Sequence, residues 1–312
     1  MSMTVLQSGP LSLLQDSGRR GYHRLGLSNG GPLDGEAFHY CNRLLQNRAG
    51  STVIEISVGG LQLQTQVDTW ICLTGAPMPL SINGAERTLW EVHPVASGDI
   101  IRIGFAASGC RSYFGVAAGF AIEPSFGSTA TVVREHIGGL RGERLQVGDQ
   151  LPCATVTACK RYYLGEHDRP RYQSMLTVRV IPGYQQRYFS RVQQRRFFGS
   201  TFHVSERCDR MGYRLEGPAI ACNIDGILSE GICHGAIQVP PDGQPIVLLN
   251  DRQTIGGYPK IGAALSLDAA RLSQLLPGCR VHFAAITAHT AHKALRLAQR
   301  FTLQRPLQER RP

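Results

Sequence analysis

From Thr52 to Arg102 this chain reads as β throughout, opening on a segment that alternates apolar and polar residues. VIEISVGGLQLQTQ, with a Gly-Gly break, is followed by TWICLTGAP, LSINGAE and DIIRIGFA, each bounded by Gly, Pro, Asn or Asp. A period of two puts successive side chains on opposite faces of an extended backbone, so such a segment folds by pairing strands. The Asn83-Gly84 pair in the middle predicts a two-residue hairpin turn, because both residues tolerate positive φ. LTVRVIPG, FHVSER, AIQV, PIVLL and CRVHFAAIT carry the same pattern into the second half. Helical spacing is confined to four places. Asp34, an expected N-cap, precedes Ala37, Tyr40, Cys41, Leu44 and Leu45, with Glu36 in the first turn. RVQQRRFFG, LDAARLSQLL (stopped by Pro277-Gly278) and AHTAHKALRLAQRF are the others. The expectation is a mainly β protein with a few short helices. Glu55, inside VIEIS, is expected to face solvent or an arginine, and the basic tail after Gln304 to be disordered.

A chain of 312 residues exceeds one average domain. Two segments also resemble each other. QDSGRRGYHRLGL at Gln15 parallels RCDRMGYRLEGP at Arg207, each with Asp, Arg, Gly-Tyr, a basic residue and Leu. That suggests duplication into two like β domains. Periodicity fades and charge collects between Pro152 and Met175. The expected division is therefore a first domain over 1–160, a linker over 161–175 and a second domain over 176–312.

Hydrophobic residues make up 42% and charged residues 18%, a globular composition. No run reaches the roughly 20 apolar residues of a membrane helix. MSMTVLQSGPLSLLQD lacks the basic, apolar and small-residue parts of a signal peptide, so the expected location is the cytoplasm, off the membrane. Nine cysteines without a CxxC pair read as reduced thiols. The net charge of +10 is carried by dispersed arginines, with lysine only at Lys160, Lys260 and Lys293. No RNP, helix-turn-helix or KH pattern accompanies it, so nucleic acid is not the expected partner.

GxxxxGK[ST], GxGxxG and HExxH do not occur, and no GxSxG nucleophile elbow, which needs a strand turning into a helix, is read in the chain. His289 and His292 stand three apart on the last helix with no third ligand in view, so no metal is expected. What remains is polar chemistry concentrated between Gly235 and Gly262. There AIQV turns through Pro-Pro-Asp-Gly into PIVLL, which stops at Asn-Asp-Arg-Gln-Thr and Gly-Gly-Tyr-Pro. Polar side chains at a rigid strand end, with glycines that let backbone N–H groups approach, suit a ligand. A loop with purely structural hydrogen bonds fits the same residues.

QDSGRRGY, GPLD, DRMGYRLEGP and IQVPPDGQPIVLLNDRQTIGGYP together resemble the allophanate hydrolase subunit 2 family, also called the biotin-dependent carboxyltransferase family. The resemblance runs from about Val5 to His282. It implies two cyclophilin-like β-barrel domains side by side. Bacterial members include components of 5-oxoprolinase (its C-type subunits) and KipA-like regulators. The first implies a hydrolase component, working in a complex, that opens 5-oxo-L-proline to L-glutamate with ATP supplied through the complex. Its partners would be an allophanate hydrolase subunit 1-like protein (the KipI or B-type component), a LamB/YcsF-like A-type component and a small amide substrate. One alternative is a carboxyltransferase acting on urea or a related amide, with biotin on a separate carrier, since no MKM-like biotinylation site is present. The other is a non-catalytic KipA-like regulator that binds a kinase inhibitor.

Opening an unstrained amide calls for arginines at developing charge and carboxylates to orient water. On that chemistry Asp251 is expected to polarise or orient, and Arg252 to grip a carboxylate or phosphate. Gln253 and Thr254 would hydrogen-bond the amide. Gln238, Tyr258, Asp209 and Arg210 would line the site, with Asp16 and Arg19 contributed by the first repeat. Asp209-Arg210 also fits a local salt bridge.

Overall fold

The computed structural model describes residues 1–310. Strand dominates, as the alternation requires, and four α-helices accompany it: α1 Gly35–Leu44, α2 Arg191–Gly199, α3 Ser266–Leu272 and α4 Ala288–Gln304. The chain forms two compact units. The first contains Met1–Arg20, Asn29–Tyr172 and the segment from Pro306; the second contains Gly21–Ser28 and Gln173–Arg305. No described helix is long and apolar enough to cross a membrane.

The first unit has a six-stranded and a five-stranded sheet. Alternation decides what lies between them. Met3, Leu61, Leu63, Ile101 and Ile103 from the larger sheet share one buried cluster with Ile54, Ile56, Ile71, Leu73 and Phe114 from the smaller. On the other face of the smaller sheet, Val53, Cys72 and Tyr113 meet Ala37, Phe38, Cys41 and Leu44 of α1. The Asp34 carboxylate caps α1 by accepting from the Ala37 N–H at 3.1 Å, as its position predicts. Asn83 and Gly84, at φ +52° and +82°, turn the chain between the paired strands Leu80–Ile82 and Ala85–Arg87. Of its two expected surroundings Glu55 takes the arginine: it points inward, 3.9 Å from Arg111 Nε, and accepts from the Tyr113 hydroxyl at 2.7 Å and the Leu33 N–H at 2.9 Å.

Gly59 shows how closely this unit packs its backbone. It sits at φ +127°, and a Cβ there would lie 2.1 Å from the Gly104 carbonyl oxygen. Neither the dihedral nor the space admits a side chain. Gly59→Ala should therefore cost on the order of 3 kcal/mol, read as a lower midpoint in chemical denaturation.

The second unit is built on a closed barrel of seven strands. In order around the barrel they are Met175–Pro182, Lys260–Ala264, Ala236–Gln238, Ile246–Leu248, Gly212–Glu216, Phe202–Cys208 and Arg280–Ala285. Closure is made by Met175–Pro182 running parallel to Arg280–Ala285; the other pairs are antiparallel. A separate two-stranded ribbon pairs Glu230–Gly231 with Ile255–Gly256.

The repeated Asp-Arg-Gly-Tyr segments share one device. Asp16 accepts from the Gly18 N–H at 2.9 Å, and Asp209 from the Met211 N–H at 2.8 Å, so each aspartate closes a tight turn two residues ahead. Beyond the turn they part: His23–Leu25 is a 3₁₀ turn, whereas Gly212–Glu216 is a barrel strand. As far as Arg310 the tail departs from the expectation of disorder; Arg311 and Pro312 lie outside the described residues. Gln308–Glu309 pairs antiparallel with Tyr162–Tyr163, and Leu307 packs against the core beneath α1. A two-residue strand is too short to show alternation, and its anchors lie far away in sequence.

Candidate functional site

The Gly235–Gly262 stretch supplies three neighbouring barrel strands and one strand of the ribbon. Its polar residues divide into two groups with different surroundings.

The first group is fully engaged. Asp251 and Arg210 form a buried, two-pronged ion pair: Arg210 Nε donates to Oδ2 at 2.8 Å and Nη2 to Oδ1 at 3.0 Å. The Asp251 N–H donates to the Arg210 carbonyl at 3.0 Å, so backbone and side chains clasp the same two residues. Arg252 is also buried. Its Nε donates to the Ile232 carbonyl at 3.1 Å and Nη1 to the Leu249 carbonyl at 3.2 Å. Burial lowers its pKa from the usual arginine value. The Ser28 hydroxyl donates to the Arg252 carbonyl at 2.9 Å. Beside it, burial pushes the His234 imidazole down to about 4, aided by the Arg252 charge, so it is neutral at physiological pH. Asp209 accepts from Met211 and Gly212 within its own turn. Asp16 and Arg19, in the first unit, hold one loop: Asp16 accepts from the Thr129 N–H at 2.8 Å, and Arg19 donates to the carbonyls of Ser125 and Ala130, both at 3.1 Å.

The second group leaves the Gln238 amide donor unmatched. Gln238 lies directly opposite Lys260 in the antiparallel ladder, so their side chains project from the same face. Gln238 is 5% exposed, and its buried Nε2 has no hydrogen-bond partner. An unmatched buried amide donor is costly, and a ligand oxygen would relieve that cost. Lys260 extends its ammonium group to Glu230. Glu230 also receives the Tyr184 hydroxyl, and the Gln185 amide donates to it at 2.9 Å. Gln185 closes the ring by accepting the Lys260 backbone N–H at 2.8 Å. The hydrogen bonds from Lys260 and Tyr184 hold the Glu230 carboxyl below its usual range, against the small opposing effect of burial.

Geometry brings these groups together through the ribbon. Glu230 pairs with Gly256, and a Cβ on Gly256 would stand 2.8 Å from Gln238 Nε2. Glycine at 256 thus leaves the room that the Gln238 amide occupies. Gln253 and Tyr258 are exposed and Thr254 is half-buried on the same connection; the Thr254 carbonyl accepts from the Ile232 N–H at 3.0 Å.

Sequence reasoning reaches Gln238 but not Lys260, Glu230, Tyr184 or Gln185. One signal was available. Lys260 is one of three lysines in an arginine-rich chain, and it opens an otherwise apolar strand, KIGAA. A cation there needs a partner, and the partner comes from outside the stretch.

Comparison with known proteins places the chain in a family. The model of the carboxyltransferase domain, subdomain A and B, matches residues 25–285. The chain is 35% identical to the 5-oxoprolinase C-type subunit of Escherichia coli, covering 96% of both chains. It is 34% identical to the corresponding 5-oxoprolinase protein of Haemophilus influenzae, covering 94% of both. The crystal structure of the Kluyveromyces lactis urea carboxylase shares the fold at a TM-score of 0.90 and 24% identity, over 96% of this chain and 29% of that one. A full-length match at this identity, together with the family model, is decisive: the chain belongs to the carboxyltransferase-domain (subdomain A and B) family.

Proposed function

We propose that this chain is a C-type subunit of an ATP-dependent 5-oxoprolinase, a cytoplasmic complex that hydrolyses 5-oxo-L-proline to L-glutamate. The observation that carries this reading is the 35% identity that spans nearly all of both chains. Its partners would be a protein resembling allophanate hydrolase subunit 1 and a LamB/YcsF-like protein. Nucleotide chemistry is assigned to the complex, and the lactam to the polar face of the barrel.

In the net hydrolysis, water oxygen adds to the lactam carbonyl carbon, the ring C–N bond breaks and the nitrogen gains a proton. Charge gathers on the carbonyl oxygen as water adds. The Gln238 amide and the Lys260 ammonium are the donors suited to that oxygen. Glu230, kept ionised, can orient the water, with Tyr184 positioning the carboxylate. The tightly paired Asp251 and Arg210, with Arg252, would support the strand end from which this face is built.

The test is reconstitution with the two partner proteins. Glutamate should form from 5-oxoproline only when this chain and ATP are both present. Glutamate formation without this chain would overturn the reading. Loss of activity on adding avidin would instead favour a carboxyltransferase that uses carboxybiotin.

A further inference from the structure

The first unit ends in an arrangement that the lactam site does not use. Glu91 is 3% exposed, yet both its oxygens are bound by one side chain from the far end of the sequence. Arg310 Nε donates to Oε1 at 2.6 Å and Nη2 to Oε2 at 3.1 Å. The guanidinium also lies 5.1 Å from the centre of the Tyr163 ring. The backbone delivers it there. Gln308 and Glu309 pair with Tyr163 and Tyr162, and the Arg310 N–H donates to the Arg161 carbonyl at 2.9 Å. Tyr163 in turn bridges to Glu91, just before the edge strand Val92–Val95 of the five-stranded sheet. The tail is thus the outermost strand of an edge that reads one arginine.

We propose that this edge is a recognition slot for an extended peptide segment carrying arginine next to its paired residues, and that Pro306–Arg310 is its resident, displaceable occupant. Strand addition supplies affinity without sequence preference, and the side-chain pocket supplies choice. The pocket selects arginine over lysine. A planar fork meets both carboxylate oxygens and stacks on an aromatic face, whereas an ammonium makes a single point contact.

Two features make the occupant displaceable. Gln308, Glu309 and Arg310 are exposed, and Leu307 is only partly buried, so little apolar area holds the segment down. When it leaves, Glu91 is not stranded: the Thr88 hydroxyl donates to it and the Arg161 guanidinium stands 3.7 Å away. A cavity of about 560 Å³ already opens beside the pair, lined in part by Glu86, His93 and Arg161, so an incoming segment has room to approach.

The probe is a fluorescent peptide of residues 305–310, RPLQER, titrated into the full-length chain. In the wild type the resident segment competes, and the apparent affinity is reduced by the fraction of open slots. The Arg310→Ala chain should bind the peptide at least about tenfold more tightly than wild type. Replacing the peptide's final arginine by lysine or alanine should weaken binding by about tenfold or more, as should Glu91→Gln in the Arg310→Ala chain. Equal affinity for wild type and Arg310→Ala, indifference to the final arginine, or no binding at millimolar peptide would each overturn the proposal. Hydrogen exchange on the wild type gives a reading that needs no variant. Saturating peptide should speed exchange at the Arg310 amide; unchanged protection there would overturn the proposal as well. Neither readout depends on 5-oxoproline, so the proposal stands or falls apart from the assigned reaction.

Discussion

Lys260→Met should lower glutamate formation by the reconstituted complex about 10²- to 10⁴-fold while the chain still folds. The ammonium shares its face with the unmatched Gln238 amide, and methionine keeps much of the stem's packing without the charge. The loss should fall on kcat more than on KM if the ammonium meets charge that develops only as water adds. Glu230, whose side chain is 35% exposed, remains hydrated after the substitution, so the denaturation midpoint should move little. Activity within threefold of wild type in a folded Lys260→Met chain would remove this face from the reaction.

The largest stability effect is expected at the Arg210–Asp251 pair. Asp251→Ala removes the carboxylate that takes both prongs of a buried guanidinium, and breaking a buried pair costs about 3–5 kcal/mol. Replacing both partners by apolar residues of similar size, Arg210→Met with Asp251→Leu, should recover most of that loss. A double-mutant cycle in chemical denaturation measures the difference. The double variant also separates two roles for Asp251. If it only fixes the strand end, activity returns together with stability. If its carboxylate acts on substrate, the double variant is stable and inactive. Single variants that are no less stable than wild type would mean that the pair contributes nothing to the unit.

The parts of this fold that are legible in the sequence are those set by neighbours in the chain. Asp34 as a cap, Asn83-Gly84 as a hairpin turn and the α4 spacing each follow from local hydrogen bonding or side-chain period, and each is found at its expected place. Gln238 is legible as a polar residue at a strand end. Its partnerless amide is not, because that depends on how closely Gly256 approaches across the ribbon. Sequence offers Asp251 and Arg210 as separate contributors to a site, and their clasp exists only once two distant segments of the barrel lie side by side. Lys260, Glu230, Tyr184 and Gln185 come from separate stretches, and closure of the barrel brings them together. The tail defeats local reading for the same reason. Arg310 reaches a carboxylate 219 positions earlier, and no periodicity encodes such a distance.

The exchange of segments between the two units has a consequence for synthesis. Gly21–Ser28 emerges early but belongs to the unit whose barrel is completed only by Arg280–Ala285. Conversely, the unit made mostly from the first half lacks its outer edge strand until Gln308–Glu309 has left the ribosome. The barrel unit is therefore complete only once Arg280–Ala285 has emerged, whereas the two large sheets of the first unit can pair before the tail arrives to occupy the edge. Cutting the gene at Tyr172 would leave each fragment without a segment that only the other carries.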